Sequence, residues 1–244
     1  MTSKLLQVLS HPIKLEILRT ITTQPEPVET IAQKVDISPE ETKVHLDSLH
    51  GAGLVDKEPD GKYRDAPLGQ LTLSLLIDLD FVAANYDCFR DLDLSLLPIS
   101  FVERLGELKD SERIEGAVTN IQNAEKMFSR AEKKISVIAN EVMLDAVPIV
   151  REKVSKGADF RFIIDQTFKP PKDFKSTLPQ LWRKIWKIPA ATVVTDNEAM
   201  VFFLDRKLKV DYSIGFVSKE PAFIKWCEEL VDYLWDQGDL VESE

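Results

Sequence analysis

The sequence predicts an α/β protein in three parts: a small α+β unit at residues 1–66, a helical linker at 67–114 and a three-layer α/β domain at 115–244. Three observations predict it. A helix with a clear start at Ser38-Pro39 follows a shorter apolar-striped helix after a few residues. An Asp60-Gly61 turn lies between two short runs that read as strands. Beyond Glu115, apolar strands alternate with helix-period stripes.

The N-terminal unit opens with Leu5, Leu6, Val8, Leu9, Ile13, Leu15, Ile17, Leu18 and Ile21, spaced for one or two short amphipathic helices. Gln24-Pro25-Glu26-Pro27 stops them. A helix over Val28 to Val35 puts Val28, Ile31, Ala32 and Val35 on one side, and Asp36-Ile37-Ser38 turns into the next helix. There Ser38 caps, Pro39 suits the first position, and Glu41 completes the capping-box spacing. Thr42, Leu46, Leu49 and Gly53 fall on one face, and Glu40, Val44, Asp47 and Ser48 on the other. The runs either side of Pro59-Asp60-Gly61 form a hairpin, so the unit is a winged helix-turn-helix.

HPIKLEILRTI, ETIAQKVDIS, LHGAGLV and DGKYR resemble the winged-helix regulators of the broad ArsR type, over residues 1 to about 66. That resemblance implies a second helix entering the major groove of duplex DNA and a wing touching phosphate. It places Ser38, Glu40, Glu41, Lys43, Val44 and Asp47 near bases and Lys57, Lys62 and Arg64 near the backbone. The sequence departs from the pattern at Val44 and Asp47, where such regulators commonly carry Arg or Lys. Glu40 and Asp47 would meet phosphates of their own sign, although a carboxylate can accept from cytosine in the groove. The acidic face equally suits a protein-interaction or scaffold use of the same unit without DNA. His11, His45 and His50 are not arranged with Cys88 or Cys227, so no soft-metal site is expected.

The bulk composition agrees with a folded domain protein. Hydrophobic residues make up 44% and charged residues 30%, and no apolar run approaches the roughly 18 residues of a membrane span. No leader opens the chain, and two cysteines without metal spacing fit a reducing compartment, so a cytoplasmic protein away from membranes is expected. A net charge of -10 excludes broad non-specific attraction to nucleic acid and confines DNA binding to a local patch.

In the linker, Pro67 and Gly69 separate the hairpin from the apolar helix LTLSLLIDLDFVAANYDCF. With Leu5, Leu6 and Leu9 it suits a homodimer surface, since helix-turn-helix proteins usually read two half-sites; it equally suits docking the two domains of one subunit. Pro98 then breaks a run, and Ile99, Val102, Leu105 and Leu108 supply a helical stripe. DLSLLPISFVERLGELKDSE is similar to the joining segment of archaeal regulators of the methanogenesis-regulator family, a likeness that spans nearly the whole chain.

The C-terminal domain reads as a helix over Val118 to Lys133, a strand over Ile135 to Ala139, and a helix capped by Asp145 carrying Val147, Val150 and Val154. Gly157 stops that helix and Asp159 to Asp165 is the next strand, a βαβ unit with a parallel pair. After a polar loop, a helix is expected around Leu178 to Ile185. Three strands in AATVVTD, MVFFL and VDYSIGFVS form a meander, and a last helix from about Glu220 to Gln237 buries Phe223, Trp226, Cys227, Leu230, Val231 and Leu234.

This alternation resembles the effector domain of TrmB-type archaeal regulators, which looks like a phospholipase D half without its chemistry. The phosphotransfer version requires a histidine, and none follows His50. No GxGxxG, P-loop or Ser-His-Asp set occurs either, so neither an enzyme nor a cofactor is expected. Sites on open α/β sheets lie beyond the carboxyl ends of strands, which points to a small-molecule effector pocket among Glu141, Asp165, Trp182, Arg183, Trp186 and Asp196. The expected function is a DNA-binding transcriptional regulator with a sensing domain.

Overall fold

The computed structural model describes residues 2–166, 168 and 182–240. They divide into two compact units, Met1–Leu79 and Asp80–Glu244, each with its own hydrophobic core.

The first unit contains α1 (Thr2–Leu9), α2 (Pro12–Thr20), α3 (Val28–Val35), α4 (Pro39–Gly51), β1 (Val55–Lys57), β2 (Tyr63–Asp65) and the first part of α5 (Pro67–Ala84). Asp36 ends α3 in the left-handed conformation, φ 53°, where its short polar side chain is tolerated. Two residues later Ser38 Oγ accepts from the Glu41 N–H at 3.2 Å and starts α4. The inward face of α4 carries the predicted Thr42, Leu46 and Leu49, fully buried against a core that includes Ile17, Leu18 and Ile31, whereas Gly53, expected on the same face, lies beyond the helix end, exposed and at φ 75°. β1 and β2 pair antiparallel, with Gly61 at φ 87° in the turn. Glu26 exchanges both backbone hydrogen bonds with Tyr63, at 2.8 and 2.9 Å, so the proline-rich stop also adds a third short rung to the hairpin.

Gly69 does not separate the hairpin from α5; the helix already begins at Pro67. A Cβ at position 69 would lie 2.1 Å from the Leu54 carbonyl oxygen, so glycine is there because the helix backbone lies directly against that strand entry. The 18 residues of α5 have a mean hydropathy of 1.3 and 17% of them are buried, so by length and composition this helix is apolar enough to cross a membrane. Its two halves are nonetheless committed to folded cores: Leu73 packs on the first and Phe81 is buried in the second. The division between the two units falls within this helix, between Leu79 and Asp80.

In the second unit, α6 (Tyr86–Phe89), β3 (Leu92–Asp93), α7 (Ile99–Val102) and a 3-10 turn (Leu105–Leu108) lead to β4 (Glu112–Glu115). The expected stripe of Ile99, Val102, Leu105 and Leu108 does not form as one helix. Ile99 is 69% exposed, and the buried residues are Leu97, Phe101, Leu105 and Leu108. Phe101 wins the inward place because its ring meets Trp226 edge-on at 5.4 Å and its carbonyl accepts from Trp226 Nε1 at 3.2 Å.

There follow α8 (Ala117–Arg130), β5 (Lys134–Ala139), α9 (Val147–Ser155), β6 (Asp159–Asp165), β7 (Trp182–Ile185), β8 (Ala190–Thr195), β9 (Ala199–Asp205), β10 (Ile214–Ser218), α10 (Pro221–Gln237) and β11 (Asp239–Leu240). Among the described residues the strands form one nine-stranded sheet in the order β11-β7-β6-β5-β8-β9-β10-β4, with β3 on β9. β5, β6 and β7 run parallel and β8, β9, β10 and β4 antiparallel. The predicted βαβ unit and meander are both present.

Directly paired residues share a face of the sheet. Val137, Val193 and Met200 therefore lie on one face, and Ile138, Thr192 and Val201 on the other. α10 packs on the second face, where its Trp226 meets Phe203, and α8 and α9 pack together over the first, which makes three layers.

Two expectations fail here. Asp145 does not cap α9; it sits inside a 3-10 turn over Leu144–Ala146 that feeds the helix. The helix expected around Leu178 to Ile185 begins outside the described residues, and Trp182–Ile185 is strand β7. Its pairing with β6, Phe162 opposite Trp182, overrides the weak helical spacing of so short a run.

Candidate nucleic-acid interface and ligand cavity

The outer face of α4 presents Ser38, Glu40, Glu41, Lys43, Val44 and Asp47, all exposed, Val44 at 67%. The hairpin shares a core with this helix, His50 Nδ1 lies 3.0 Å from the Val55 carbonyl oxygen, and one carboxylate ties the exposed face to it. Asp47 Oδ1 accepts from the Tyr63 hydroxyl at 2.6 Å and from Lys57 Nζ at 3.1 Å, while Lys57 also stands 5.0 Å over the Tyr63 ring. These hydrogen bonds, Tyr63 first and then Lys57, hold the Asp47 carboxyl below its ordinary pKa. Burial, and then the bond to Asp47, raise that of Tyr63.

The other wing cations are also occupied. Lys62 pairs with Asp60 at 2.7 Å, and Arg64 with Glu58 at 2.8 Å and Asp56 at 3.3 Å. Lys43 has no carboxylate within ion-pair distance among the described residues and stands beside Val44 on the exposed face. Over residues 1–79 there are eight Lys and Arg against twelve Asp and Glu. Any grip on phosphate must therefore come from exchanging these internal partners for the nucleic acid.

The second unit holds an open-mouthed cavity of about 270 Å³ between α8, α9 and the first face of the sheet. Its floor is apolar and aromatic, with Val137, Ala139, Ala191, Val193, Phe160, Phe162 and Phe202 from the strands and Phe128 from α8. Voids of that size are uncommon in close-packed interiors, which hold few gaps larger than a water molecule. Alanines at Ala124, Ala139, Ala146 and Ala191, where larger side chains would fill the layer, leave the space. Glu125, Glu141, Asp145 and Arg151 stand at its rim and are at least partly exposed. The Tyr212 hydroxyl, also lining it, donates to Asn140 Oδ1 at 2.8 Å; burial, and next the charge of Glu141, push its pKa up.

Of the residues expected in an effector pocket, only Glu141 lines this cavity. Asp165 is buried at the end of β6, and Trp182 is core, edge-on to Phe162 at 5.2 Å. The Arg183 guanidinium lies 5.1 Å over the Trp235 ring, and Trp186 is 80% exposed. Asp196 is a structural cap: its carboxylate accepts from the Glu132 N–H at 2.6 Å and the Lys133 N–H at 3.0 Å. Burial raises its pKa, and these backbone bonds outweigh that and lower it. Sequence reasoning located the carboxyl end of β5 and missed the cavity beside it, whose sequence signal is the set of inward alanines among phenylalanines.

Among the described residues no group of three or more His, Cys, Asp or Glu is placed to hold a metal ion. Cys88 and Cys227 are both buried, and burial raises both thiols, Cys88 to about 11.

No family model and no curated protein matches the chain. Among solved structures it is similar to TrmBL2, an archaeal chromatin protein whose structure shows a novel mode of DNA binding, at 12% identity and a TM-score of 0.46, over 99% of this chain and 100% of that one. It is also similar to Nuc, a phospholipase D family member from Salmonella typhimurium, at 13% identity and a TM-score of 0.39, over 53% of this chain and 96% of that one. NucT from Helicobacter pylori is similar at 7% identity and a TM-score of 0.44, over 53% and 97%.

Proposed function

We propose that the chain is a DNA-binding regulator of the winged-helix kind, acting as a homodimer on duplex DNA, with a second unit that responds to a small molecule. The observation that supports it is the exposed face of α4, where Lys43 and Val44 stand clear beside a hairpin fixed to the same helix by Tyr63 and Asp47. A capped helix beside a rigid hairpin is the geometry that enters a major groove and rests on the flanking backbone. Val44 suits a thymine methyl group, and Lys43 a phosphate or a guanine edge.

A second copy is supported by α5. Leu68, Leu71, Leu75 and Leu79 are exposed at 37% or more and fall at spacings of three and four, the seam of a two-helix packing. No charge interrupts α5 from Pro67 to Ile77, so a partner helix must be as apolar as this one, which the same helix of a second copy supplies.

The test is binding of the full chain to duplex DNA from its own promoter region at low salt, with Lys62→Glu/Arg64→Glu beside it. Wild-type protein is expected to shift the DNA and the double variant to lose it. A folded, homogeneous dimer that shifts no DNA overturns the reading.

The internal pairing of all three wing cations favours a second reading, a protein-interaction module that uses the same face without DNA. In that case the double variant leaves partner binding unchanged. Neither reading includes a reaction: the chain has no histidine beyond His50 to serve as a phosphotransfer nucleophile.

A further inference from the structure

We infer that the cavity of the second unit binds an amphipathic ammonium ligand, with its hydrocarbon part inside and its cationic nitrogen at the rim. This deepens the sensing half of the proposed function, and its link to DNA rests on that reading; occupancy of the cavity does not.

Size and lining set the apolar part. About 270 Å³ is many times the space that one water needs. Such a space suits a chain or ring system of modest size. Phe128, Phe160, Phe162 and Phe202 line it, with the Phe160 and Phe162 rings near parallel at 6.3 Å. Water held against such a wall has few hydrogen-bond partners, so displacing it by hydrocarbon is favourable.

The rim sets the charge. The charged residues that line it are three carboxylates, Glu125, Glu141 and Asp145, and one guanidinium, Arg151, all at least partly exposed, so the entrance carries an excess of negative charge. A fatty carboxylate would meet that excess unfavourably, and a neutral apolar ligand would gain nothing from it. The polar groups on the inner wall agree. Among the described residues, Asn120 Oδ1 is buried there without a hydrogen-bond partner and can only accept, and Tyr212 gives its proton to Asn140 Oδ1. The Thr192 hydroxyl, likewise buried, unpartnered and able to accept, belongs to the opposite face of the sheet. Rim carboxylates and an unpartnered amide oxygen call for a ligand rich in donors, which an ammonium group is. Phenylalanine faces add attraction for a cation that enters more deeply.

The ligand class is thus defined by a hydrocarbon body and an N–H-bearing cation, as in alkyl or aryl amines. Titration calorimetry of the full chain, without DNA, with octylammonium, 1-octanol and octanoate at equal chain length separates tail from head. Octylammonium is expected to bind saturably, about tenfold more tightly than octanoate, with octanol between them. Ala191→Leu fills the cavity and should abolish all three. Glu125→Gln/Glu141→Gln/Asp145→Asn, at the rim, should keep the octanol affinity and erase the preference for the amine, and it keeps the test open if the core variant fails to fold. Octanoate binding as well as or better than the amine overturns the inference. So does a preference for the amine that survives the rim variant, or the absence of saturable binding by any probe. Failure of DNA binding with intact amine binding would overturn the proposed function and leave this site standing.

Discussion

The Tyr63 hydroxyl donates to Asp47 Oδ1 across 2.6 Å, joining the hairpin to the exposed helix through a carboxylate that otherwise would oppose DNA. Tyr63 itself is fully buried. Tyr63→Phe keeps the ring and removes this bond, and is expected to cost about 1 kcal/mol in chemical denaturation. Amide exchange in β1 and β2 should quicken with it. Asp47→Asn should instead raise DNA affinity several-fold at low salt, roughly as expected for removing one repulsive charge and freeing Lys57. Unchanged affinity in an electrophoretic mobility assay would favour the protein-interaction reading.

Acid should loosen the first unit through His45. Its ring is buried, 4.6 Å from that of His11, and its pKa is lowered from 6.5 by burial and then by the charges of His11 and Lys14, against a raising effect of Glu41. With the folded pKa below the unfolded one, the unfolded chain takes the proton first. The stabilising contribution is complete above pH 6.5 and is lost as pH falls through the folded pKa. Urea midpoints for the first unit should therefore drop as pH falls below about 6.5, and less so in His45→Gln.

Glu198 is 6% exposed and takes both oxygens of its carboxylate to Arg130, at 2.8 Å each. The pair ties α8 to the turn between β8 and β9. Arg130 is itself half exposed, which screens the pair, so Arg130→Ala is expected to cost about 1–2 kcal/mol, chiefly from the buried carboxylate left behind. Thermal melts of Arg130→Ala and Arg130→Ala/Glu198→Gln distinguish this from lost packing: the second change should restore part of the loss.

Gly69→Ala is the sharpest test of the α5 packing in the first unit. The added methyl would meet the Leu54 carbonyl oxygen at 2.1 Å, and backbone on both sides leaves no flexible group to yield. A loss of about 3 kcal/mol is expected in the first unit, at the upper end for overpacking. Circular dichroism melts monitored with the second unit intact would show it; a neutral result would mean that α5 sits further from β1 than the structure has it.

The parts that were legible in the sequence are those set by local periodicity and caps. Ser38, Thr42, Leu46 and Leu49 fix where α4 starts and which side it buries, and Asp159–Asp165 is bounded by a glycine and a polar loop. The errors lie where a distant partner decides. Trp182–Ile185 is a strand because β6 accepts it, and Glu112–Glu115, charged enough to pass for a connection, becomes an edge strand because β10 pairs with it. The pairing of Asp47 depends on Tyr63, sixteen residues away, so its charge looked free. The cavity was the hardest to foresee, because a void is defined by side chains that are small, such as Ala139 and Ala191, and periodicity scores them as ordinary core.

The two hydrophobic cores have no residue in common, and α5 gives Leu73 to one and Phe81 to the other. Such a chain has no single melting temperature. Its calorimetric enthalpy should exceed the van't Hoff enthalpy of either transition, with heat taken up in two steps as the cores melt in turn. A compound lodged under α8 and α9 then stabilises by mass action only the step in which its own core is lost. The endotherm that moves with added compound reports which half of the molecule holds it, before any operator sequence is known.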